Sequence, residues 1–416
     1  MSENLVGGKS AAGEKFFTAP LVIIFVTVFI DLIGFGMVIP ILPFYASTPP
    51  FDATPIEIGL LVSIYSWMQF FFSPVLGRLS DRFGRRPILF ISLLGSVVGY
   101  LTIGFAHTLL LVFVGRVISG ITGGNISAAQ AYVADITTKE NRAKGMGLFG
   151  AAFGLGFILG PAIGGVLSKY GAEVPFFFAA ALSLVSAIAV YFLLPESIKP
   201  GAWHHTESRN RLGELLSSLR EREFGVVNLV YFLLVTSFSI MTYAFVLYTA
   251  FRYGYTAEQN GYLFALVGLV SVVGQGVLFH TLVSLFGEAV LASFGCIVMS
   301  FCLAALPFLG PSDGGVTGLI ALCVVLSFGN AMASPALTSL VSKISSDEKQ
   351  GTSLGIMQSG ASLARAIGPT IGGVLLNNAA GKIDDFTLYR TFWAAAAIML
   401  AAFVIAAYSV RILAGF

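Results

Sequence analysis

The stretch Gly77-Arg-Leu-Ser-Asp-Arg-Phe-Gly-Arg-Arg-Pro87 decides the architecture of this chain. It places four arginines and one aspartate within eleven residues, between two strongly apolar segments at 57–76 and 87–106. A helix needs about 20 apolar residues to cross the hydrocarbon of a bilayer. The stretch is therefore predicted to be a short charged hairpin that turns at a membrane surface.

The composition supports a membrane protein. Of 416 residues, 56% are hydrophobic and only 11% are charged, whereas a soluble domain carries about 25% charged residues. The net charge of +2 indicates no nucleic-acid partner. Three cysteines in apolar segments and four scattered histidines predict no disulfide framework and no metal site. The polar N-terminus is not followed by a cleavage site, so no removable signal peptide is expected.

Charged and Gly/Pro-rich breaks divide the chain into twelve predicted membrane spans, which indicates an all-α integral membrane fold. The predicted spans are 20–45, 57–77, 87–106, 108–134, 145–168, 174–194, 225–251, 257–282, 289–309, 315–342, 353–376 and 388–411.

The distribution of Lys and Arg predicts the orientation of the spans. Seventeen of the 23 basic residues fall in segments on the same side as the N-terminus, four fall on the other side, and two lie inside spans. Both termini are therefore expected in the cytoplasm.

One long polar connection, 195–224, divides the chain into four predicted parts: a cytoplasmic tail at 1–19, a six-helix half at 20–194, the connection itself, and a second half at 225–416. Leu212, Leu215, Leu216 and Leu219 repeat at helical spacing within the connection. They predict an amphipathic helix on the membrane surface, although the basic residues there could serve only to set the topology.

An internal repeat supports the two halves. Shifting the sequence by 208 residues overlays 133–167 on 341–375, and Gly160-Pro-Ala-Ile-Gly-Gly165 then meets Gly368-Pro-Thr-Ile-Gly-Gly373. Small residues let helix backbones approach closely, and proline removes one backbone hydrogen bond. The motif therefore predicts helices that pack tightly and bend, although packing alone would also account for it. Its residues are Gly156, Gly160, Pro161, Gly164, Gly165, Gly368 and Pro369.

Two charged side chains are predicted near mid-depth in the first half. Asp31 is the carboxylate inside the first span, and Arg116 lies in the fourth span ahead of a glycine-rich face. A buried charge is costly and persists with a partner or a task. We expect Asp31 to pair with Arg116 and to bind a proton, although a static ion pair is the alternative.

These motifs together resemble the major facilitator superfamily of transporters. The 77–87 loop resembles the connection between helices 2 and 3 of that superfamily. The Gly-Pro-x-x-Gly-Gly motif and Gly115-Arg116 resemble signatures of its twelve-helix drug:proton antiporter branch. The context of Asp31 resembles tetracycline-resistance-type exporters. The resemblance implies two pseudo-symmetric six-helix bundles and alternating access.

The resemblance has two departures. Tetracycline exporters carry an acidic residue within helix 9, but the predicted span 289–309 contains none. Arg365 lies deep in the eleventh span, and no acid lies at mid-depth in spans 7–12 to pair with it. Arg365 could bind an anionic substrate group, or it could donate to carbonyls freed by Pro369.

Two groups of candidate functional residues follow. Asp81 is expected to accept hydrogen bonds from the N-terminus of helix 11, which would latch the halves together when the carrier opens outward; serving the topology alone is the alternative. The proposed latch comprises Gly77, Asp81, Arg82, Gly84, Arg85, Arg86 and Asp135. Most polar groups in spans, such as Gln69, Asn125 and Asn228, serve as contacts between helices. The candidate substrate-binding residues are Asp31, Phe35, Arg116, Gln130, Tyr231, Phe238, Gln275, Asn330, Gln358 and Arg365.

The function predicted from the sequence is export of amphipathic small molecules, driven by the proton gradient without a cofactor. The expected setting is the cytoplasmic membrane, with lipid, protons and the substrate as partners and a monomer as the working unit. A carrier of a physiological organic anion is the nearest alternative, and a receptor or scaffold is a remote one. The spans contain no nucleophile–base pair and no metal cluster that would indicate an enzyme.

Overall fold

A computed structural model describes residues 18–138, 141–198, 222–345 and 350–413. Within these ranges the chain forms twelve long helical segments, which we number in chain order. They are α1 (Ala19–Ser47), α2 (Pro55–Phe83), α3 (Arg85–Gly104), α4 (Leu109–Ile136), α5 (Arg142–Leu167), α6 (Val174–Leu193), α7 (Arg222–Tyr253), α8 (Ala257–Phe286), α9 (Glu288–Ala305), α10 (Gly315–Ile344), α11 (Gln350–Leu376) and α12 (Asp385–Leu413).

Two of these segments are not regular α-helices throughout. Helix α4 contains a 3₁₀ turn at Gly123–Asn125, and α8 contains a π turn at Gly274–Leu278. Such turns change which backbone carbonyls are bonded inside the helix and often occur at functional sites. Both turns lie in the middle of a helix that was predicted to cross the membrane.

Ten of the helices within the described residues are long and apolar enough to cross a membrane. The other two, α5 and α11, are 26 and 27 residues long and carry the two Gly-Pro motifs. The predicted spans match the twelve helices, including the short break between Gly104 and Leu109. The amphipathic helix predicted around Leu212–Leu219 lies outside the described residues, and the proposed domain boundaries stay predictions.

Glycines determine how the helices pack within each half. A methyl group on Gly36 of α1 would lie 2.7 Å from the carbonyl oxygen of Gly156 in α5. In the second half, a methyl group on Gly368 of α11 would lie 3.0 Å from the Thr236 carbonyl oxygen in α7. Both α5 and α11 continue through their prolines without a break. The motif therefore serves close packing, and its proposed bending stays a prediction.

The two halves meet through two nearly identical contacts. A methyl group on Gly59 of α2 would lie 2.5 Å from the Pro369 carbonyl oxygen and 3.0 Å from the Gly373 Cα in α11. A methyl group on Gly261 of α8 would lie 2.5 Å from the Pro161 carbonyl oxygen and 2.9 Å from the Gly165 Cα in α5. Each Gly-Pro motif thus receives a glycine from the opposite half. We call the end of the bundle with these contacts the closed end.

Polar contacts reinforce the closed end. Thr370 Oγ1 of α11 donates to Ser63 Oγ of α2 at 2.8 Å, and the Tyr243 hydroxyl of α7 donates to the Pro55 carbonyl of α2. Lys169 Nζ, just beyond α5, lies 2.8 Å from Glu258 Oε1 at the start of α8. The hydrogen bond and the charge of Glu258 raise the pKa of the Lys169 ammonium.

The opposite end carries the 77–87 loop, and we call it the basic end. A methyl group on Gly276 of α8, or on Gly355 or Gly360 of α11, would have no neighbour within 4 Å. At the closed end, by contrast, α8 contacts the other half through Gly261, and α11 contacts it through its Gly-Pro motif. From these positions we infer that the halves separate from mid-depth toward the basic end.

We predict that Gly261→Val prevents the closed end from closing, because the larger side chain cannot fit against Pro161. Overpacking of this kind costs about 1–3 kcal/mol, which corresponds to a shift of about fivefold to a hundredfold between conformations. Spin labels on Tyr170 and Phe251 should report a larger distance between the halves than in the unsubstituted protein.

Gly276→Val is the matched control, since its side chain would extend into open space. It should leave the distance between Tyr170 and Phe251 unchanged. An unchanged distance in Gly261→Val as well would show that the glycine contact does not determine closure.

Candidate functional site

Asp31 lies near the middle of α1, half-buried, and pairs with a neutral group. The side-chain amide of Asn125 in α4 lies within reach of its carboxyl. An amide can donate to a carboxylate through its NH₂ group or accept from a protonated carboxyl through its oxygen. Asn125 is therefore a neighbour that suits either protonation state of the acid.

The glycines and the 3₁₀ turn of α4 place Asn125 beside Asp31. Gly120 lets α4 approach the backbone of α2, since a methyl group there would lie 2.6 Å from the Tyr65 carbonyl oxygen. The turn leaves the Gly123 carbonyl free to accept from Gln69 Nε2 of α2 at 2.9 Å. The sequence signalled this turn only by its glycines, so Asn125 was interpreted as an ordinary contact between helices.

Arg116 does not pair with Asp31, which corrects the predicted ion pair. Its buried guanidinium donates to the carbonyl oxygens of Leu61 at 3.0 Å and Val62 at 3.4 Å. It also lies over the ring of Tyr65, with 4.6 Å between Cζ and the ring centroid. Both features belong to α2, so Arg116 fastens α4 to α2. The expectation failed because backbone carbonyls and an aromatic face can satisfy an arginine without any acid.

Tyr65 of α2 is a central residue that the sequence analysis missed. Its buried side chain lies within electrostatic range of Asp31, Arg116 and Arg365. Tyr65 is therefore near charged groups of both halves: Asp31 and Arg116 in the first half and Arg365 in the second. One tyrosine in an apolar helix carried no sequence signal for this position.

Phe35 of α1 joins Tyr65 in an aromatic cluster. The Phe35 ring centroid lies 5.2 Å from that of Tyr65 and 6.0 Å from that of Phe157 in α5. These rings provide an apolar surface beside Asp31. Phe35, a predicted binding residue, thus lies beside two rings that the sequence did not indicate for this site, Tyr65 and Phe157.

The remaining candidates are spread over several helices. Phe238 of α7 packs against the main apolar core, while Gln130 of α4 and Asn330 of α10 are half-buried. Gln275 lies in the π turn of α8 and Gln358 on α11, and both are exposed. Their roles in binding stay predictions.

Arg365 of α11 has a different environment from Arg116. Its Nη2 donates to Ser362 Oγ of the same helix at 3.0 Å, which is its one hydrogen bond among the described residues. It lies within electrostatic range of Tyr231 and Tyr65. Among these contacts, Arg365 does not donate to a backbone carbonyl freed by Pro369, so that predicted alternative is not observed.

At the basic end, Arg85 is the centre of the proposed latch group. Its guanidinium lies 2.5 Å from Asp81 and 3.1 Å from Asp135, and it donates to Ser80 Oγ at 2.7 Å. The Asp81 side chain is 53% exposed. No hydrogen bond joins Asp81 to α11 among the described residues. Because the halves are apart at this end, the latch in the outward-open carrier stays a prediction.

Two other arginines and a glycine of the proposed latch lie close to this group. Arg86 lies over the Tyr191 ring at 5.5 Å and donates to the Tyr191 carbonyl, whereas Arg82 lies over the adjacent Phe83 ring at 5.2 Å. Gly77 lies against Ser127 of α4, since a methyl group there would lie 3.6 Å from Ser127 Oγ. These contacts all lie within the first half.

Glu196, just after α6, is a further residue of this group. Its carboxylate accepts from the backbone N–H of Arg85 at 2.9 Å and of Arg86 at 3.2 Å, at the start of α3. A carboxylate there complements the positive end of the helix dipole. Gly84 permits this arrangement, because its φ is +102° and a methyl group would lie 2.5 Å from Glu196 Oε2.

The second half contains the same ion pair with its charges exchanged. Arg85 is the first residue of α3 and pairs with Asp135, the penultimate residue of α4. Glu288 is the first residue of α9 and pairs with Lys343, the penultimate residue of α10. In the overlay of the two halves, Asp135 and Lys343 occupy the same position. The Glu288–Lys343 pair agrees with the dipoles of its two helices, whereas the Arg85–Asp135 pair opposes them.

No cluster of three or more His, Cys, Asp or Glu side chains suited to a metal ion occurs in the part of the chain that the structure describes. Cys296, Cys302 and Cys323 are buried free thiols.

Comparisons with known proteins identify one family. The family model described as Major Facilitator Superfamily matches residues 24–369 and 314–412. The chain is 32% identical over 357 residues to a class B tetracycline resistance protein of Escherichia coli, covering 84% of this chain and 86% of that protein. It is 30% identical over 362 residues to multidrug resistance protein 2 of Bacillus subtilis, covering 86% and 88%.

Solved structures show the same fold. A bacterial homologue of the human lysosomal transporter Spinster superposes with a TM-score of 0.76 at 14% identity, covering 96% of this chain and 98% of that one. The human organic anion transporter MFSD10 (TETRAN) superposes with a TM-score of 0.67 at 24% identity, covering 93% and 99%.

We predict that the Glu288–Lys343 pair tolerates exchange of its charges. Glu288→Lys or Lys343→Glu alone places two like charges together, and each should destabilise the protein by about 1 kcal/mol. The double variant should recover the part of this loss that comes from the like charges but not the part that comes from the helix dipoles. The measurement is the unfolding temperature of the purified protein in detergent.

The matched exchange in the first half, Arg85→Asp with Asp135→Arg, should not recover stability. An aspartate at position 85 would face the carboxylates of Asp81 and Glu196. Equal recovery in both halves would contradict the different surroundings that we assign to the two pairs.

Proposed function

Because the chain belongs to the Major Facilitator Superfamily, as its sequence predicted, we propose that it is a proton-coupled exporter of amphipathic small molecules. Family membership makes it an integral membrane transport protein and not an enzyme. The tetracycline and multidrug resistance relatives support drug-like substrates. Proton coupling, antiport and the identity of the substrate belong to the proposal.

The observation that carries the proposal is the pairing of Asp31 with Asn125. A carboxyl bonded to a neutral amide can gain and lose a proton without losing its partner. An ion pair with Arg116 would instead have held Asp31 in its charged form. Arg116 of α4 contributes by holding α4 against α2, close to Tyr65 and the same site.

The proposed cycle is alternating access of this site to the two sides of the membrane. The basic end faces the cytoplasm in this proposal, as the distribution of Lys and Arg favours. The structure then corresponds to the carrier open to the cytoplasm, with the Gly59 and Gly261 contacts closing the outer side. Substrate enters from the cytoplasm, the halves rock, and a proton taken up by Asp31 from outside returns inward.

The proposal also includes the cellular location, the energy source and the working unit. The chain works in the cytoplasmic membrane with both termini inside, takes its energy from the proton gradient without a cofactor, and acts as a monomer. Proteoliposomes with an imposed pH gradient, offered cationic, neutral and anionic compounds, test this function directly.

We predict that Asp31→Asn abolishes uphill transport driven by a pH gradient, because an amide at this position binds no proton. Exchange of substrate without a gradient should continue. The measurement is accumulation of a transported drug in proteoliposomes with and without the gradient. Asp313→Asn, at an exposed loop of the closed end, is the control and should behave like the original protein. Gradient-driven accumulation by Asp31→Asn would move proton coupling to another residue.

We predict that Asp81→Asn slows transport about fivefold while substrate affinity stays unchanged. The physical reason is the loss of about 1 kcal/mol between a carboxylate and the N-terminus of α11 in the outward-open state. The initial rate of efflux and the equilibrium binding constant separate these two effects. Asp52→Asn, an exposed acid at the opposite end, should change neither. An undiminished rate in Asp81→Asn would exclude the latch.

A further inference from the structure

Arg365 is a deeply placed cation whose hydrogen-bonding capacity is almost unused. A guanidinium has five N–H donors, and among the described residues this one donates only to Ser362. No carboxylate of the described part of the chain lies within ion-pair distance of it. A charge at mid-depth costs about 2.5–3.5 kcal/mol on insertion scales. Arg116, at comparable depth, offsets that cost with two carbonyls and a ring, whereas Arg365 does not.

A polar stripe on α11 connects Arg365 to the opening between the halves. Gly355, Gln358, Ser359 and Ser362 follow one another at helical spacing toward Arg365. The first three are exposed, and Ser362 is half-buried. Beyond Arg365, the same helix closes against α2 through Thr370. Arg365 therefore lies near the inner limit of the opening, where a molecule entering from the basic end would reach it.

Two tyrosines from other helices lie within electrostatic range of the guanidinium. One of them is Tyr231 of α7, which is buried. Tyr65 of α2 approaches Arg365 from the other half. A group bound at Arg365 would thus contact elements of both halves, next to the aromatic cluster of Phe35, Tyr65 and Phe157.

We propose that Arg365 and Tyr231 form an anion subsite that binds the carboxylate or enolate group of an amphipathic substrate. The guanidinium fork matches the two oxygens of a carboxylate, and the aromatic cluster accommodates the apolar body of the same molecule. A bound anion also removes the cost of the unpaired charge. The subsite rests on the proposed transport function and specifies its substrate class. It is separate from Asp31, which pairs with Asn125.

The test compares two fluorescent probes that differ only in the anionic group, dansylglycine and dansylglycinamide. Binding is measured on the purified protein in lipid nanodiscs without any pH gradient. The unsubstituted protein should bind the acid at least tenfold more tightly than the amide. Arg365→Gln should lose about tenfold in affinity for the acid and less than twofold for the amide.

Further variants keep the result interpretable. Arg365→Lys retains the charge without the fork and should keep part of the preference. Tyr231→Phe should weaken binding of the acid alone by about threefold, and it tests the subsite even where Arg365→Gln fails to fold. Arg252→Gln removes a guanidinium at the closed end, paired there with Asp385, and should leave both affinities unchanged.

Equal losses for both probes in Arg365→Gln would return Arg365 to a structural role. A lack of preference for the acid in the unsubstituted protein would also overturn the subsite. Because no gradient is applied, this outcome differs from failure of the proposed function, which would appear as missing proton-driven transport in proteoliposomes with the subsite preference still present.

Discussion

Close approach of helix backbones at glycines is the constraint on which the rest of this structure depends. Inside a membrane, each helix satisfies its own backbone, and helices associate through packing rather than through exclusion of water. Glycines of α1, α2, α4 and α8 lie against backbone atoms of neighbouring helices, and an added methyl group would overlap those atoms. The contacts at Gly59 and Gly261 also determine where the halves meet. Because the remaining length of α8 and α11 has no such contact at Gly276 or Gly355, the opening lies at the basic end.

Buried charges follow a second constraint, because each one needs a partner suited to what it does. Arg116 has two carbonyls and an aromatic ring, which hold it in one position. Asp31 has an amide, which suits an acid that changes its protonation. Arg365 has a single serine hydroxyl as its hydrogen-bond partner among the described residues. The three groups differ in what they leave unsatisfied, and this difference supports the separate roles that we propose for Arg116, Asp31 and Arg365.

The two halves share a geometry but not an electrostatic pattern. The same pair of positions holds Arg85 with Asp135 in one half and Glu288 with Lys343 in the other. Only the first half adds Asp81 beside the pair and Glu196 as a cap for α3. The two halves therefore share a helix arrangement, but the first half carries a charged network of several residues. The second half carries a single ion pair that matches the dipoles of its helices. This asymmetry supports a latch that belongs to the first half.

The sequence by itself determined the twelve helices, their order and the internal repeat, and it placed Asp31, Arg116 and Arg365 inside helices. Apolar runs of membrane length and the positions of charged residues are local properties, so they are readable without the fold. Only the tertiary structure decided that Asp31 meets Asn125, that Arg116 meets α2, and that Tyr65 lies among all three charges. These partners depend on how each helix is rotated about its axis. In a bundle whose helices are apolar on every side, sequence periodicity does not mark the face that will meet a neighbour.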